Sequence, residues 1–142
     1  MQPTSRTHER EEVTVVTVDD QVVFRRAAWD VIAATPGFRP IGEAESGEDA
    51  LRLVDDVDPA LVLVDLRMPG MDGVETSRHI AGAHPEAVVV LITIEDPEAL
   101  PAGVASCGAV AVARKQDLCP RMLRGLWDAH GGGLPLTLAG GA

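Results

Sequence analysis

The 142-residue sequence lacks the features that mark several large classes of protein. Its two cysteines, Cys107 and Cys119, are too few for a disulfide framework and have no zinc-binding spacing, which favours a reducing compartment. No apolar run reaches the roughly 18 residues that a transmembrane helix requires. The polar N-terminal segment contains no apolar stretch of the kind found in a signal peptide. We therefore expect a cytoplasmic chain that makes no membrane contact.

Aromatic residues and positive charges are also scarce. Phe and Trp contribute 2 residues each and Tyr none, so the core must be built from aliphatic side chains. The formal net charge of -10 repels phosphate backbones, which argues against nucleic-acid binding by this chain alone. The apolar fraction of 46% is sufficient for the core of one domain. Most of the surplus carboxylates are expected on a solvated surface, although clustered ones would attract divalent cations.

Five apolar runs alternate with five segments of helical periodicity. Short β-branched or aliphatic runs, typical of buried strands, cover residues 13–18, 38–44, 61–65, 87–93 and 109–115. Segments with the spacing of one helix face follow them, over residues 21–35, 46–57, 72–83, 96–108 and 118–130. This alternation predicts an α/β fold, a doubly wound five-stranded parallel sheet with helices on both faces.

Proline, glycine and capping residues refine this prediction. Pro40 places the second run at an edge of the sheet, because proline cannot donate a hydrogen bond to a neighbouring strand. Pro101 and Gly103 predict that any helix in the segment 96–108 is short, late-starting or kinked. Asp72 is the expected N-cap of the helix that follows the third strand.

Polar side chains stand where four of the predicted strands end. Asp19 and Asp20 follow the first strand, Asp65 ends the third, Thr93 ends the fourth and Lys115 ends the fifth. The carboxyl ends of parallel strands meet at one edge of the sheet, so these groups should converge there. Three carboxylates repel one another unless a cation is bound, and their hard oxygens suit Mg²⁺. A carboxylate can also attack phosphorus, and the metal and the ammonium would stabilise a phosphoryl group.

The chain resembles the receiver domains of two-component response regulators. The matching features are the acidic pair Asp19 and Asp20, then Asp65, "MPGMDG" (68–73), Thr93 and "GAVAVARK" (108–115). The resemblance covers roughly residues 13–130. It implies a flavodoxin-like sheet with strand order 2-1-3-4-5. It also implies a signalling domain rather than an enzyme, one that catalyses only its own phosphorylation and slow dephosphorylation.

The same resemblance implies a role for each residue at this sheet edge. Asp65 would be the phosphoacceptor, taking a phosphoryl group from a partner sensor histidine kinase. Mg²⁺ would be bound directly by Asp65 and Asp20, by Asp19 through water, and by the backbone carbonyl of Arg67.

The signalling residues follow the family pattern only in part. Lys115 would pair with the phosphoryl oxygens, and Thr93 would move to hydrogen-bond them and carry the signal into the next loop and helix. Ile94 stands where the family usually has a small residue, and this bulk would narrow access to Asp65. Val112 stands where the family usually has Tyr or Phe, so the aromatic rotamer switch is absent.

The subfamily and the domain boundaries are expectations of the same kind. The stretch "DDQVVFRRAAWDVI" (19–32) and the lack of proline after Lys115 resemble receivers that precede a LuxR-type (NarL/FixJ-like) helix-turn-helix. We expect a disordered tail over 1–12, the receiver over 13–130, and a Gly-rich linker or trimmed end over 131–142. Control of transcription would then require a C-terminal DNA-binding domain that is absent here.

Two other functions fit parts of the sequence. Ile94 and Val112 are compatible with a receiver-like module that binds proteins without being phosphorylated. A phosphatase of the haloacid dehalogenase type would need a second Asp two residues after Asp65, where Arg67 stands. A nucleotide-binding Rossmann domain is excluded, because no G-x-G-x-x-G follows the first strand.

The last predicted helix carries apolar residues on two faces. Leu123 and Trp127 lie on a different face from Leu118, Met122 and Leu126. The second face is either a wide contact with the core or the surface of a homodimer.

Overall fold

The computed structural model describes residues 12–131, so most of the predicted tail and Gly-rich end lies outside the described residues. Five parallel strands form one sheet in the order β2-β1-β3-β4-β5, as predicted. The strands are β1 (Val13–Val18), β2 (Phe38–Ala44), β3 (Leu61–Asp65), β4 (Val88–Thr93) and β5 (Ala111–Arg114). The helices are α1 (Val22–Ala33), α2 (Gly47–Val57), α3 (Gly73–Ala83) and α4 (Pro120–His130).

The helices cover both faces of the sheet and divide the core into two layers. Alternate side chains of a strand point to opposite faces, so Leu61 and Leu63 pack in the layer of α1 and α4. Val62 and Val64 pack in the layer of α2 and α3. All five residues of β3 are buried, which explains why its sequence is continuously apolar until Asp65.

Strand β2 lies at an edge of the sheet, as Pro40 predicted. Its pairing with β1 shifts by one residue, because Val15 pairs with Pro40 while Val16 pairs with Gly42. This bulge accommodates the proline without disturbing the carboxyl-terminal half of β1, which leads into the acidic pair.

The connection from β4 to β5 differs from the predicted strand–helix pattern. Segment 96–108 forms two short 3-10 turns, Pro97–Ala99 and Val104–Ser106, and no α-helix. Pro101 supplies no backbone N–H, and Gly103 adopts a φ of 94°, so neither continues a helix. Four strand–helix pairs therefore form rather than five.

The packing of α4 decides between the two interpretations of its second apolar face. Leu123 is fully buried, and Trp127 packs against the same core layer as Leu118 and Leu126. The second apolar face therefore contributes to the core, which is the first of the two interpretations.

Asp72 caps α3 as predicted, because its carboxylate accepts a hydrogen bond of 2.9 Å from the backbone N–H of Glu75. Within residues 12–131, no helix combines the length and the apolar character needed to cross a membrane.

Candidate functional site

The carboxyl ends of the central strands surround a pocket of about 390 Å³. Asp65 and Thr93 are the last residues of β3 and β4, and Lys115 directly follows β5. The pocket is lined by these three residues and by Gln21, Val23, Phe24, Ala27, Arg67, Ile94 and Glu95. Three of the polar side chains predicted at the strand ends therefore line one pocket, as the parallel topology requires.

Three carboxylates lie close together at this edge. Oxygen atoms of Asp19, Asp20 and Asp65 are all within 4.8 Å of one another. Asp19 is fully buried, Asp65 is 6% exposed and Asp20 is exposed. Burial, followed by the charge of Asp19, raises the pKa of Asp65 to about 6. Lys115 and the backbone N–H of Arg67 act in the opposite direction.

The oxygens of Asp19 have different partners. Oδ1 accepts a hydrogen bond of 2.8 Å from the backbone N–H of Gln21. Oδ2 is buried and, among residues 12–131, has no hydrogen-bond partner, although Lys115 Nζ lies 2.7 Å away. That contact is an ion pair whose geometry falls short of a hydrogen bond. A buried carboxylate oxygen with unused acceptor capacity, beside two further carboxylates, fits a small divalent cation with oxygen ligands.

Lys115 is the only lysine in the sequence, and the other 11 basic residues are arginines. Its Nζ lies 2.7 Å from Asp19 Oδ2 and 3.6 Å from Asp65 Oδ2. The side chain is 15% exposed, so the ammonium stands between two carboxylates at the base of the pocket. It is placed to meet an anionic group bound to Asp65.

Thr93 orders the loop that follows β4. Its hydroxyl accepts a hydrogen bond of 3.0 Å from the backbone N–H of Glu95, while Thr93 itself is 2% exposed. The carboxylate of Glu95 forms a two-point ion pair with Arg67, at 2.6 and 3.0 Å. This hydrogen bond raises the pKa of Arg67 and lowers that of Glu95. The loops after β3 and β4 are thereby joined beside Asp65.

The turn after β3 approaches the strand end very closely. Gly73 donates a backbone hydrogen bond of 3.0 Å to Leu66. A Cβ at Gly73 would lie 2.3 Å from the backbone oxygen of Asp65, so only glycine fits there. The turn also contains Gly70, whose φ of 75° favours glycine. The close approach at Gly73 and the positive φ of Gly70 explain both glycines of "MPGMDG".

The two positions at which the sequence departs from the family pattern, Ile94 and Val112, are both exposed. Ile94 is 69% exposed and lines the rim of the pocket. Val112 is 36% exposed on β5. Because this residue is valine, β5 presents no aromatic side chain at this position.

Sequence reasoning missed Arg25, which lies on the first turns of α1. Its Nη1 donates a hydrogen bond of 2.7 Å to the backbone oxygen of Asp19, and its Nε pairs with Glu43 at 2.9 Å. The guanidinium therefore fixes the main chain at the acidic pair. The only signal in the sequence is a basic residue one helical turn beyond an acidic pair, which is too common to be diagnostic.

A doubly wound parallel sheet of order 2-1-3-4-5, with three aspartates and a lysine at its carboxyl edge, points to the receiver class of signalling domain. The family model for the response regulator receiver domain matches residues 15–121, and the chain belongs to this family.

Curated relatives and solved structures agree with this assignment. The chain is 30% identical over 105 residues to transcriptional regulatory protein DegU of Brevibacillus brevis, covering 74% of this chain and 44% of the relative. It is 31% identical to response regulator GacA of Pseudomonas viridiflava, covering 72% and 48%. The chain thus spans less than half the length of these relatives. The signal receiver domain of NarL from Mycobacterium tuberculosis superposes with a TM-score of 0.76 at 28% identity, covering 84% and 96%.

Proposed function

We propose that Asp65 accepts a phosphoryl group from a histidine kinase and that the resulting aspartyl phosphate switches an output. The observation that carries this proposal is the placement of Asp65 and Lys115 in one pocket, with the carboxylates of Asp19 and Asp20 close to that of Asp65. In the transfer, a carboxylate oxygen of Asp65 forms a bond to phosphorus as the bond to the donor's imidazole nitrogen breaks. The raised pKa, about 6, leaves Asp65 ionised and nucleophilic at neutral pH.

Each neighbouring residue has a role in this proposal. Asp20 and Asp65 would hold Mg²⁺ directly, with Asp19 acting through water and Arg67 through its carbonyl. The ion would neutralise charge on the transferred group. Lys115 pairs with the phosphoryl oxygens as they replace the carboxylate charge it now faces.

Thr93 carries the switch. Its hydroxyl now accepts from Glu95 N–H, which leaves its own hydrogen free to donate to a phosphoryl oxygen. Such a bond would pull the loop after β4 toward Asp65 and bias the segment that leads into β5. The output would be transcription, through a C-terminal DNA-binding domain like those of LuxR-type regulators.

Beryllofluoride, which stands in for a phosphoryl group on a carboxylate, tests this proposal. With Mg²⁺ present it should raise the midpoint of thermal unfolding, because a ligand that binds only the folded chain stabilises it. The Asp65→Ala variant should not respond, while Asp56→Ala, an exposed position on α2, should respond as the wild type does. An equal response of Asp65→Ala would contradict the proposal.

The second candidate is a module that binds its partner without phosphorylation. The observation in its favour is the segment between β4 and β5, which has two 3-10 turns and ends beside an exposed Val112. If this candidate is correct, beryllofluoride and Mg²⁺ leave the wild type unchanged, and Asp65→Ala binds the same partners.

A further inference from the structure

Lys115 has a third neighbour that the proposed chemistry does not use. Its Nζ lies 4.7 Å from the centroid of the Phe24 ring, within the range of a cation–π interaction. The same ammonium lies 2.7 Å from Asp19 and 3.6 Å from Asp65. Two carboxylates and one aromatic face therefore surround it.

A lysine in this place needs something to fix it. Its stem is flexible, and its ammonium is a compact charge without the planar fork of arginine. The closest contact, with Asp19 Oδ2, does not reach hydrogen-bond geometry. The ring face attracts the positive charge electrostatically and has no oxygen or nitrogen acceptor. It therefore holds the ammonium of Lys115 while leaving the N–H donors of Lys115 available to an oxygen on Asp65.

The ring is itself well supported. Phe24 lies in the first turn of α1, is half-buried and packs against the core layer shared by α1, β4 and α4. It also lines the pocket beside Asp65. Aromatic residues are rare in this chain, and here one stands on the helix that follows the acidic pair.

We propose that Phe24 is a positioning residue for Lys115, its ring keeping the ammonium where it meets a phosphoryl group on Asp65. This inference rests on the proposed function. The contact predicts a rate effect of about fivefold, which corresponds to about 1 kcal/mol, a typical strength for a partly exposed cation–π pair.

The single lysine makes the contact directly observable. In protein labelled with ¹³C-lysine, Lys115 gives the only lysine signals, and the aromatic ring current should move its Hε resonances upfield. Phe24→Leu should return them to the position of a free lysine, whereas Phe24→Tyr should keep the upfield shift. Unshifted resonances in the wild type, or equal shifts in Phe24→Leu, would overturn the contact.

The role of the contact is tested by the rate of phosphorylation by acetyl phosphate at saturating Mg²⁺. Phe24→Leu should be about fivefold slower than wild type, and Phe24→Tyr should be within about twofold of it. The matched control is Phe38→Leu, which removes the ring beneath Arg124 in the same core layer, 4.9 Å from that guanidinium. Phe24→Met, close in volume to Phe, is a second ring-free variant should Phe24→Leu fail to fold.

The outcomes separate three cases. Equal slowing in Phe24→Leu and Phe38→Leu would assign the effect to core packing and overturn the role of Phe24. A reactive wild type with an equally reactive Phe24→Leu would overturn only this role. An unreactive wild type would contradict the proposed function itself and, with it, this inference.

Discussion

Arg67 and Glu95 form a two-point ion pair that joins the loops after β3 and β4, with Nε–Oε2 at 2.6 Å and Nη2–Oε1 at 3.0 Å. Both residues line the pocket that contains Asp65. The pair is exposed, so it contributes little to folding stability. Its two opposite charges cancel beside the pocket, so removing either one changes the local electrostatic potential.

This pairing of charges predicts opposite effects for the two partners. Glu95→Gln leaves Arg67 uncompensated, so phosphorylation by anionic acetyl phosphate should be roughly two- to fivefold faster at low salt. Arg67→Gln leaves the negative charge of Glu95 uncompensated, so it should slow phosphorylation by acetyl phosphate by a similar factor. Glu86→Gln, the same change at an exposed position distant in the fold, should have no effect. If the pair were only a steric gate, both substitutions would speed the reaction.

Ionised Asp65 should destabilise the metal-free protein. Its pKa rises to about 6 on folding, chiefly through burial, so the folded state binds this proton more tightly than the unfolded state. Stability is therefore gained as pH falls from 7 toward 4, and the ionised form costs at most about 3 kcal/mol above pH 7. Asp65→Asn should raise the free energy of unfolding at pH 8 by about 1–3 kcal/mol, measured by urea denaturation with a chelator. The gain should disappear near pH 4, and a gain that is constant with pH would contradict this cause.

The acidic cluster should bind a divalent cation. Millimolar Mg²⁺ should raise the free energy of unfolding of the wild type by about 1–2 kcal/mol, since binding to the folded state alone stabilises it. Asp20→Asn should abolish the effect with little change to the fold, because Asp20 is exposed. Asp56→Asn removes the same charge from α2 and should keep the full response. Loss of the response in both variants would point to general charge screening.

Two glycines of α3 should respond oppositely to the same substitution. Gly73→Ala would place a Cβ 2.3 Å from the backbone oxygen of Asp65, and it should destabilise the protein by at least about 2 kcal/mol and slow phosphorylation. Gly82→Ala meets open space and should stabilise the helix by up to about 1 kcal/mol. Thermal unfolding of the two variants decides this, and equal effects would contradict the close approach at Gly73.

The strands and the candidate site were predictable because their signals are local. "LVLVD" shows by composition alone a buried strand that ends in a carboxylate, and parallel topology brings such ends together. Pro40 likewise marked the edge strand. The alternation of segments then determined the fold class.

Other features depend on contacts that no local pattern encodes. Phe24 and Lys115 are far apart in the sequence, and their contact depends on how α1 and β5 pack on one face of the sheet. The segment 96–108 has a helical rhythm, but Pro101 and Gly103 override it. The apolar face at Leu123 and Trp127 could be assigned to the core only from the packing of α4.

The central claim is that Asp65 is the phosphoacceptor, and the intact mass of the protein tests it most directly. After incubation with acetyl phosphate and Mg²⁺, the wild type should gain about 80 Da, one phosphoryl group, and should lose it on mild alkaline treatment. Asp65→Asn should gain nothing, while Asp56→Asn should gain the same mass as the wild type. No adduct on a folded wild type, or an equal adduct on Asp65→Asn, would contradict the account.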